Sequence, residues 1–392
     1  MHAIQELESF SLKKRVLFIT RNMPPLVGGM ERLMEHTFQE LAHNYTVDLI
    51  GPKGCEKFVG NYASKITTCS VSSISFFILQ TLFKSIIMVM RTRYDLVFAG
   101  SGTTGLATVL AAKLTRTKSV VYLHGLDIVA DDYIYQKIFL PVISRSTRIM
   151  VNSKNTKKLA IEAGIMEDKI IILNPGVDLV DTDNINIGKF FEENDLDNTD
   201  FHILSVGRIT KRKGLMQFVM HALPELARKS EKIKLIVIGE EPSDAIGGNT
   251  ESVKKILNWS KEHRISGHIT FLGKVSDKSL HQAYAACNIL IFPLVEVKGD
   301  VEGFGMVAIE AASHGLPTIA FNTGGIGDAV VNEKTGYLIE PGRYDVMIEK
   351  ILYCQKNDVK TSLKENCQSF ASKFDWKQYG KKLRSECSKI TG

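Results

Sequence analysis

The sequence has no C-x-x-C pair. Its six cysteines, at 55, 69, 287, 354, 367 and 387, therefore fit neither a zinc framework nor a disulfide scaffold, and read as free thiols of a reducing compartment. There is no internal repeat and no low-complexity tract. Charge of one sign is not extreme either: with 23% charged residues the net charge is +6. That balance suits nucleotide phosphates or an anionic membrane surface, and no nucleic-acid partner is expected. No long apolar run is present. The longest, Phe76 to Met90, is interrupted by Gln80, Thr81, Lys84 and Ser85, and falls short of the ~20 apolar residues a bilayer span takes. Met1 to Arg15 is polar and lacks the apolar centre of a signal peptide. The expectation is a cytoplasmic protein, peripheral at the inner face of a membrane. At 392 residues, 44% of them hydrophobic, the chain is long enough for two cores.

The chain is organised around residues 300 to 325. An apolar run, Asn288 to Pro293, predicts a buried strand, followed by a loop containing Gly303 and Gly305. Val307 to Ser313 predicts a helix, with Gly315 placed to end it, and Leu316 to Phe321 predicts a second strand. A helix start preceded by glycines presents unpaired backbone N–H groups and favours anions. Glu302 and Glu310 flank that helix start with seven residues between them. Carboxylates beside an anion site need a separate task, and accepting hydrogen bonds from sugar hydroxyls is the obvious one.

Strand and helix patterns alternate on both sides of this unit. Strands are predicted at 15–20, 46–50, 95–99, 119–123, 148–151 and 169–173, then at 201–206, 234–239, 268–272, 288–293, 316–321 and 336–339. Such alternation predicts parallel sheets covered by helices on both faces. The polar stretch 181–200 interrupts it and reads as a linker with a short helix. The expected organisation is α/β with two Rossmann-like domains, residues 1–180 and 181–373. A basic terminal helix is predicted from Phe374 to about Ile390.

Glu302-Gly-Phe-Gly-x4-Glu310 resembles the E-x7-E motif of retaining glycosyltransferases with the two-domain GT-B fold. Further motifs extend the resemblance from about Arg15 to the terminal helix. Pro24-Pro25-x-x-Gly28-Gly29 resembles the family's first turn. Val206-Gly-Arg208-x4-Lys213-Gly214 resembles its R-x4-K-G motif, and Leu123-His124-Gly-Leu-Asp127 its H-G-x-[DE] strand end. The resemblance implies a cleft between the domains and transfer of a hexose from a nucleotide sugar to an acceptor hydroxyl, with retention. It implies that Glu302 contacts the transferred sugar and Glu310 holds the ribose. Arg208 and Lys213 would hold the diphosphate without a metal, which is plausible chemistry, since two fixed cations and a helix start stabilise the charge of a departing nucleotide diphosphate. His124 would lie beside the anomeric carbon and Asp127 face the acceptor. Gly28 and Gly29, Lys274 and Val275, and Gly303, Phe304, Gly305, Met306 and Val307 are the implied donor-binding positions. No cofactor and no metal is implied. After Gly324-Gly325 the family's Pro-Glu is replaced by Gly327-Asp328, which leaves Asp328 without a transferred role.

No carboxylate is placed as an obvious nucleophile, so front-face attack is expected, with the leaving phosphate taking the acceptor's proton. The Asp300-Val-Glu302 pattern is similar to that of mannosyltransferases acting on lipid or polysaccharide acceptors, which favours GDP-mannose over a UDP-sugar. Two other activities fit the same architecture: a nucleotide-sugar 2-epimerase, or a non-catalytic sugar-nucleotide-binding partner.

Three stretches carry competing readings. Gly100-Ser-Gly-Thr-Thr-Gly105 fits the dinucleotide fingerprint, but at the third strand's turn, with His124 where the next strand should end in an acidic residue. A tight turn packing a helix is the better reading. Asp181-Thr-Asp183 is a D-x-D in the polar linker and reads as chance. Ile74 to Tyr94 reads as a buried crossover helix, or as a partly exposed amphipathic surface near the acceptor side, resting on an anionic membrane.

Overall fold

The computed structural model describes residues 13–242 and 251–392. The leader-like test of Met1 to Arg15 therefore falls largely outside the described residues. Two compact units divide the chain. One comprises the chain up to Asn174 together with Trp376–Gly392, and the other is Pro175–Asp375.

In the first unit the strands are β1 (Arg15–Ile19), β2 (Thr46–Pro52), β3 (Ala63–Cys69), β4 (Leu96–Ala99), β5 (Lys118–Leu123), β6 (Arg148–Val151) and β7 (Ile170–Ile172). The main helices are α1 (Gly29–Asn44), α2 (Ile74–Arg91), α3 (Gly102–Thr115) and α4 (Lys154–Glu162). The strands form one sheet in the order β3-β2-β1-β4-β5-β6-β7, every pair parallel. Leu17 and Ile19 on one face of β1, and Val16 and Phe18 on the other, are all fully buried, as a parallel sheet covered on both faces requires.

The second unit repeats the plan. Its strands are β8 (Phe201–Val206), β9 (Ile233–Ile238), β10 (Ile269–Gly273), β11 (Ile289–Phe292), β12 (Thr318–Phe321) and β13 (Gly336–Ile339). They are ordered β10-β9-β8-β11-β12-β13, again all parallel. Helices α5 (Leu215–His221), α6 (Val253–Glu262), α7 (Asp277–Ala286), α8 (Met306–Ser313), α9 (Tyr344–Asn357) and α10 (Val359–Ala371) complete it. Two apolar clusters flank the sheet, one around Phe218, Leu235 and Ile351, the other around Tyr284, Leu290 and Ala308.

Both sheets reverse strand order at one place, between β1 and β4 and between β8 and β11. Loops leaving the carboxyl ends of strands at such a reversal splay apart, and that crevice is where open α/β sheets bind ligands.

The final helix, α11 (Trp376–Thr391), belongs to the first unit. It packs on α1: the Trp376 ring stacks on His36 at 3.8 Å, the Thr37 and Tyr379 hydroxyls lie 2.5 Å apart, and Arg384 pairs with Glu40. Tyr379, Leu383 and Cys387 are buried.

Two sequence expectations are corrected. Gly100–Gly105 follows the fourth strand, not the third, because β3 carries no apolar pattern. Ala-Ser-Lys-Ile-Thr-Thr-Cys is an edge strand, mostly part-exposed, and pairs only with β2. As read, the turn packs a helix: a Cβ on Gly105 would come within 2.8 Å of Ile143. The second correction concerns α2. It is 18 residues long, and by length and composition it is long and apolar enough to cross a membrane. The polar residues read as interruptions are accommodated locally. Thr81 and Ser85 donate to the carbonyls of Ile78 and Leu82, each at 2.9 Å, and Lys84 donates to the Thr68 carbonyl at 2.5 Å. The helix is not wholly buried. Phe77, Met88 and Val89 face the core, while Leu79, Phe83 and Met90 are each more than 60% exposed.

Candidate functional site

At the reversal point of the second sheet, the turn after β8 and the loop after β11 lie side by side. Their approach is close enough to need glycine. Gly214 has φ +68°, and a Cβ there would run into the Pro293 carbonyl. The Val295 N–H donates to the Arg212 carbonyl at 2.9 Å. In this way Arg212 and Gly214 become neighbours of Val295 and Pro293, which lie far along the chain.

Four charged side chains meet here. Lys213 Nζ donates to Glu302 Oε2 at 2.8 Å, and the Arg212 guanidinium donates to that same oxygen. Arg212 also donates through Nε to Asp300 Oδ1 at 2.9 Å. All four are shielded, Glu302 being only 14% exposed. Lys213 Nζ also sits 4.3 Å above the Phe292 ring. Burial pushes the Glu302 carboxyl up, but Arg212 and then Lys213 beside it more than reverse this and hold it at about 2. Arg212 is likewise opposed by burial, yet Glu302 and Asp300 raise it. Lys213 goes the other way: burial lowers it, Glu302 raises it, and the neighbouring cations Arg212 and Arg208 lower it again. Glu302 thus has two cations and Lys213 one carboxylate, so Lys213 is the less securely held partner. Arg208 lies exposed near it.

The Glu302 loop runs directly into α8. Gly303 and Phe304 lead to Gly305, which takes φ +93° before the helix, and Met306 and Val307 begin its first turn. The Gly324-Gly325 pair supports this loop from below. The Gly325 N–H donates to the Glu302 carbonyl at 2.8 Å, and a Cβ on Gly324 would come within 2.6 Å of that carbonyl. Glu310 lies in the second turn of α8, where it accepts a hydrogen bond from the Tyr284 hydroxyl at 3.0 Å. The His314 ring nitrogen Nδ1 lies 2.7 Å from the Glu310 carbonyl oxygen. Burial first, then His281 and Lys360, lower His314 to about 4 against the pull of the Glu310 carbonyl, so the ring is neutral at pH 7 and its Nδ1 donates. Lys274 is exposed and Val275 half-buried after β10. Asp328 is half-buried in the short helix Ile326–Ala329.

The remaining predicted residues lie in the first unit. Gly28 and Gly29 open α1, and Asn22 in the same turn donates to Glu31 at 2.8 Å. His124 ends β5 and is buried. Its Nε2 lies 2.8 Å from the Gly100 carbonyl oxygen, and its ring stacks on Tyr122. Asp127 accepts a hydrogen bond from the His124 N–H at 3.1 Å. Asp181 accepts from the Asp183 N–H, and Asp183 pairs with Lys364 across 3.7 Å. Among the described residues no group of three or more His, Cys, Asp or Glu side chains could hold a metal ion.

Residues 186–374 match the model for glycosyl transferases group 1, and residues 27–181 match that for glycosyltransferase family 4. The chain thus carries a group 1 glycosyltransferase domain preceded by a family 4 glycosyltransferase domain.

Among this glycosyltransferase's relatives is the capsular polysaccharide biosynthesis glycosyltransferase CapM of Staphylococcus aureus, 27% identical over 85% of this chain and 84% of that protein. A lipopolysaccharide 1,2-N-acetylglucosaminetransferase of Salmonella typhimurium is 30% identical over 47% of each chain. Among solved structures, Anabaena HepE in complex with UDP superposes with TM-score 0.76 at 20% identity, over 96% of this chain and 100% of that one. A glycosyltransferase from Rickettsia africae gives TM-score 0.77, likewise at 20% identity, over 97% and 99%. These place the two parallel-sheet units of this glycosyltransferase in the GT-B fold.

Two members of the site were not singled out from the sequence. Arg212 was one cation among four in six residues, and only Asp300, two positions before Glu302, hinted that one of them had a carboxylate partner. Tyr284 lies inside an ordinary amphipathic helix, and nothing local to it signals contact with Glu310.

Proposed function

We propose that the chain transfers a hexose from a nucleotide sugar to a hydroxyl of a lipid-linked or polysaccharide acceptor, with retention at the anomeric carbon. The observation that carries this reading is the meeting of the Arg208–Gly214 turn with the Glu302 loop and the start of α8. A cationic turn and a helix start at a sheet reversal suit a diphosphate. A carboxylate held ionised beside them suits a sugar whose ring gains positive charge. Arg208 and Lys213 take the diphosphate, Glu302 the sugar, and Glu310 the ribose. Gly303 to Val307 with Lys274 and Val275 complete donor binding on the second unit, and Gly28 and Gly29 are donor-binding positions of the first-turn motif. His124 serves the transferred sugar and Asp127 the acceptor. GDP-mannose is the first donor to try, on the Asp300-Val-Glu302 pattern. A mycobacterial GDP-mannose-dependent mannosyltransferase, 28% identical over 38% of this chain, supports that choice; the UDP complex of HepE makes UDP-sugars the second. The leaving phosphate takes the acceptor's proton in front-face attack. The test is release of free nucleotide from each donor with and without an acceptor extract, in excess EDTA. Release that requires acceptor and persists in EDTA is expected. Acceptor-independent turnover, or loss restored by manganese or magnesium, overturns the respective part.

The protein acts in the cytoplasm, at the inner face of a membrane. Support comes from α2, whose exposed Phe76, Leu79, Phe83 and Met90 precede the exposed cations Arg91 and Arg93. Apolar contact plus attraction to anionic lipid is how interfacial helices bind. The protein should sediment with anionic vesicles at low salt and be released as salt rises. Replacing Leu79 and Phe83 by Ser should abolish sedimentation, whereas no sedimentation of the unaltered protein leaves α2 as a domain helix alone.

A further inference from the structure

The donor site described above starts with its lysine already engaged. Lys213, assigned to the diphosphate, donates to the Glu302 carboxylate. Glu302 is assigned to the sugar and cannot remain tied to a cation that must turn to phosphate. We propose that Arg212 is a positioning residue that makes a partner exchange possible: when a nucleoside diphosphate draws Lys213 away, Arg212 keeps Glu302 ionised and in place. The inference rests on the donor-site reading and assigns Arg212 no contact with the donor.

The geometry supports the exchange. Arg212 and Lys213 converge on the same oxygen, Oε2, so releasing one leaves the other in position. Arg212 is anchored from both ends. Its Nε holds Asp300 at 2.9 Å, and its carbonyl accepts from Val295 in the loop that carries Glu302. The planar fork of arginine can bridge two carboxylates at once, whereas an ammonium bound to one oxygen has no comparable geometric hold. Among the described residues Lys213 has no second anchor of this kind. Around it lie the Phe292 face, the Gly207 backbone and the cations Arg212 and Arg208. A buried carboxylate stripped of every cation is strongly disfavoured. Without Arg212, therefore, Lys213 is pinned as the sole counter-ion of Glu302, and diphosphate must compete with that carboxylate for it.

This gives a sign reversal that simple damage does not. Binding of free GDP and UDP is measured by calorimetry on four proteins: the unaltered chain, Arg212→Gln, Glu302→Gln, and the pair together. Arg212→Gln should weaken nucleotide binding about tenfold or more, although Arg212 touches no nucleotide. Adding Glu302→Gln to it should restore binding to within about threefold of the unaltered protein, because Lys213 is then free. Arg212→Lys, which keeps the charge but not the fork, should fall between, and the thermal midpoint of each variant reports folding. A double variant that binds no better than Arg212→Gln overturns the exchange, as does an Arg212→Gln protein that binds normally. If the unaltered chain binds neither nucleotide, the donor-site reading itself fails, and this inference with it.

Discussion

Glu302→Gln is expected to lower kcat by about a hundredfold or more while donor KM moves only a fewfold, if Glu302 has the proposed place beside the transferred sugar. The sugar ring flattens and gains positive charge in the transition state, so a carboxylate beside it acts more strongly there than in the ground state. Glu310→Gln is the matched control, the same chemical change eight residues on. The ribose that Glu310 is proposed to hold does not change during reaction, so that grip is uniform binding, and its loss should raise donor KM with kcat nearly kept. The two sites also differ in what the amide inherits. At 310 a glutamine carbonyl still accepts from the Tyr284 hydroxyl. At 302 the amide faces two buried cations. Arg212 retains Asp300, but Lys213 loses its carboxylate. Some loss of stability at 302 is therefore expected, and thermal unfolding run beside the kinetics separates it from the loss of turnover. The reverse pattern, a KM effect at 302 and a kcat effect at 310, would exchange the two roles.

Arg208→Ala and Lys213→Ala each lower kcat/KM by about ten- to a hundredfold or more, since hydrogen bonds to charged groups are worth ~1.5–3 kcal/mol. The effect should fall on both nucleotide affinity and turnover, because the diphosphate proposed to sit at this turn is held in the ground state and gains charge as it leaves. Lys213→Ala carries a second consequence. Glu302 then has Arg212 alone, so its carboxyl rises from about 2 but remains ionised at neutral pH. Chemistry at the sugar should survive in what turnover remains, and NMR of the product should show the proposed retention of anomeric configuration. Near-normal kcat/KM in both alanine variants would remove the diphosphate assignment from this turn.

Much of this was legible because the relevant signals are local. The unit from Ile289 to Phe321 announces itself by an apolar run, two glycines, a run of helix formers, a terminating glycine and a second apolar run. Its helix was read to within one residue, Val307–Ser313 against Met306–Ser313. Glu302 and Glu310 stand at a spacing that survives any error in strand ends. The unread parts have non-local causes. β3 is an edge strand whose polar sequence becomes a strand only because β2 offers it hydrogen bonds. Arg212 acquires partners only when β8 and β11 become neighbours, which depends on the order of the whole sheet. The exposure of Leu79 and Phe83 on α2 likewise depends on which face α3 and β3 cover, something an apolar sequence cannot specify by itself. The unit boundaries at Asn174 and Asp375, set against the expected 180 and 373, follow backbone pairing. Val177 donates to the Phe374 carbonyl at 2.7 Å, which draws the start of the second unit ahead of the polar linker.

The return of α11 to the first unit bears on how the protein is made. All 201 residues from Pro175 to Asp375 are synthesised between the main body of that unit and the helix that covers α1. At ~5–20 residues per second, the ribosome takes roughly 10–40 s to cross them. During that interval the α1 surface that receives Tyr379 and Leu383 has no cover. The second unit, continuous in the chain, can complete its sheet first. A premature stop shortly before Trp376 would spare every donor-site side chain named above, yet remove the helix that covers α1 in the other unit.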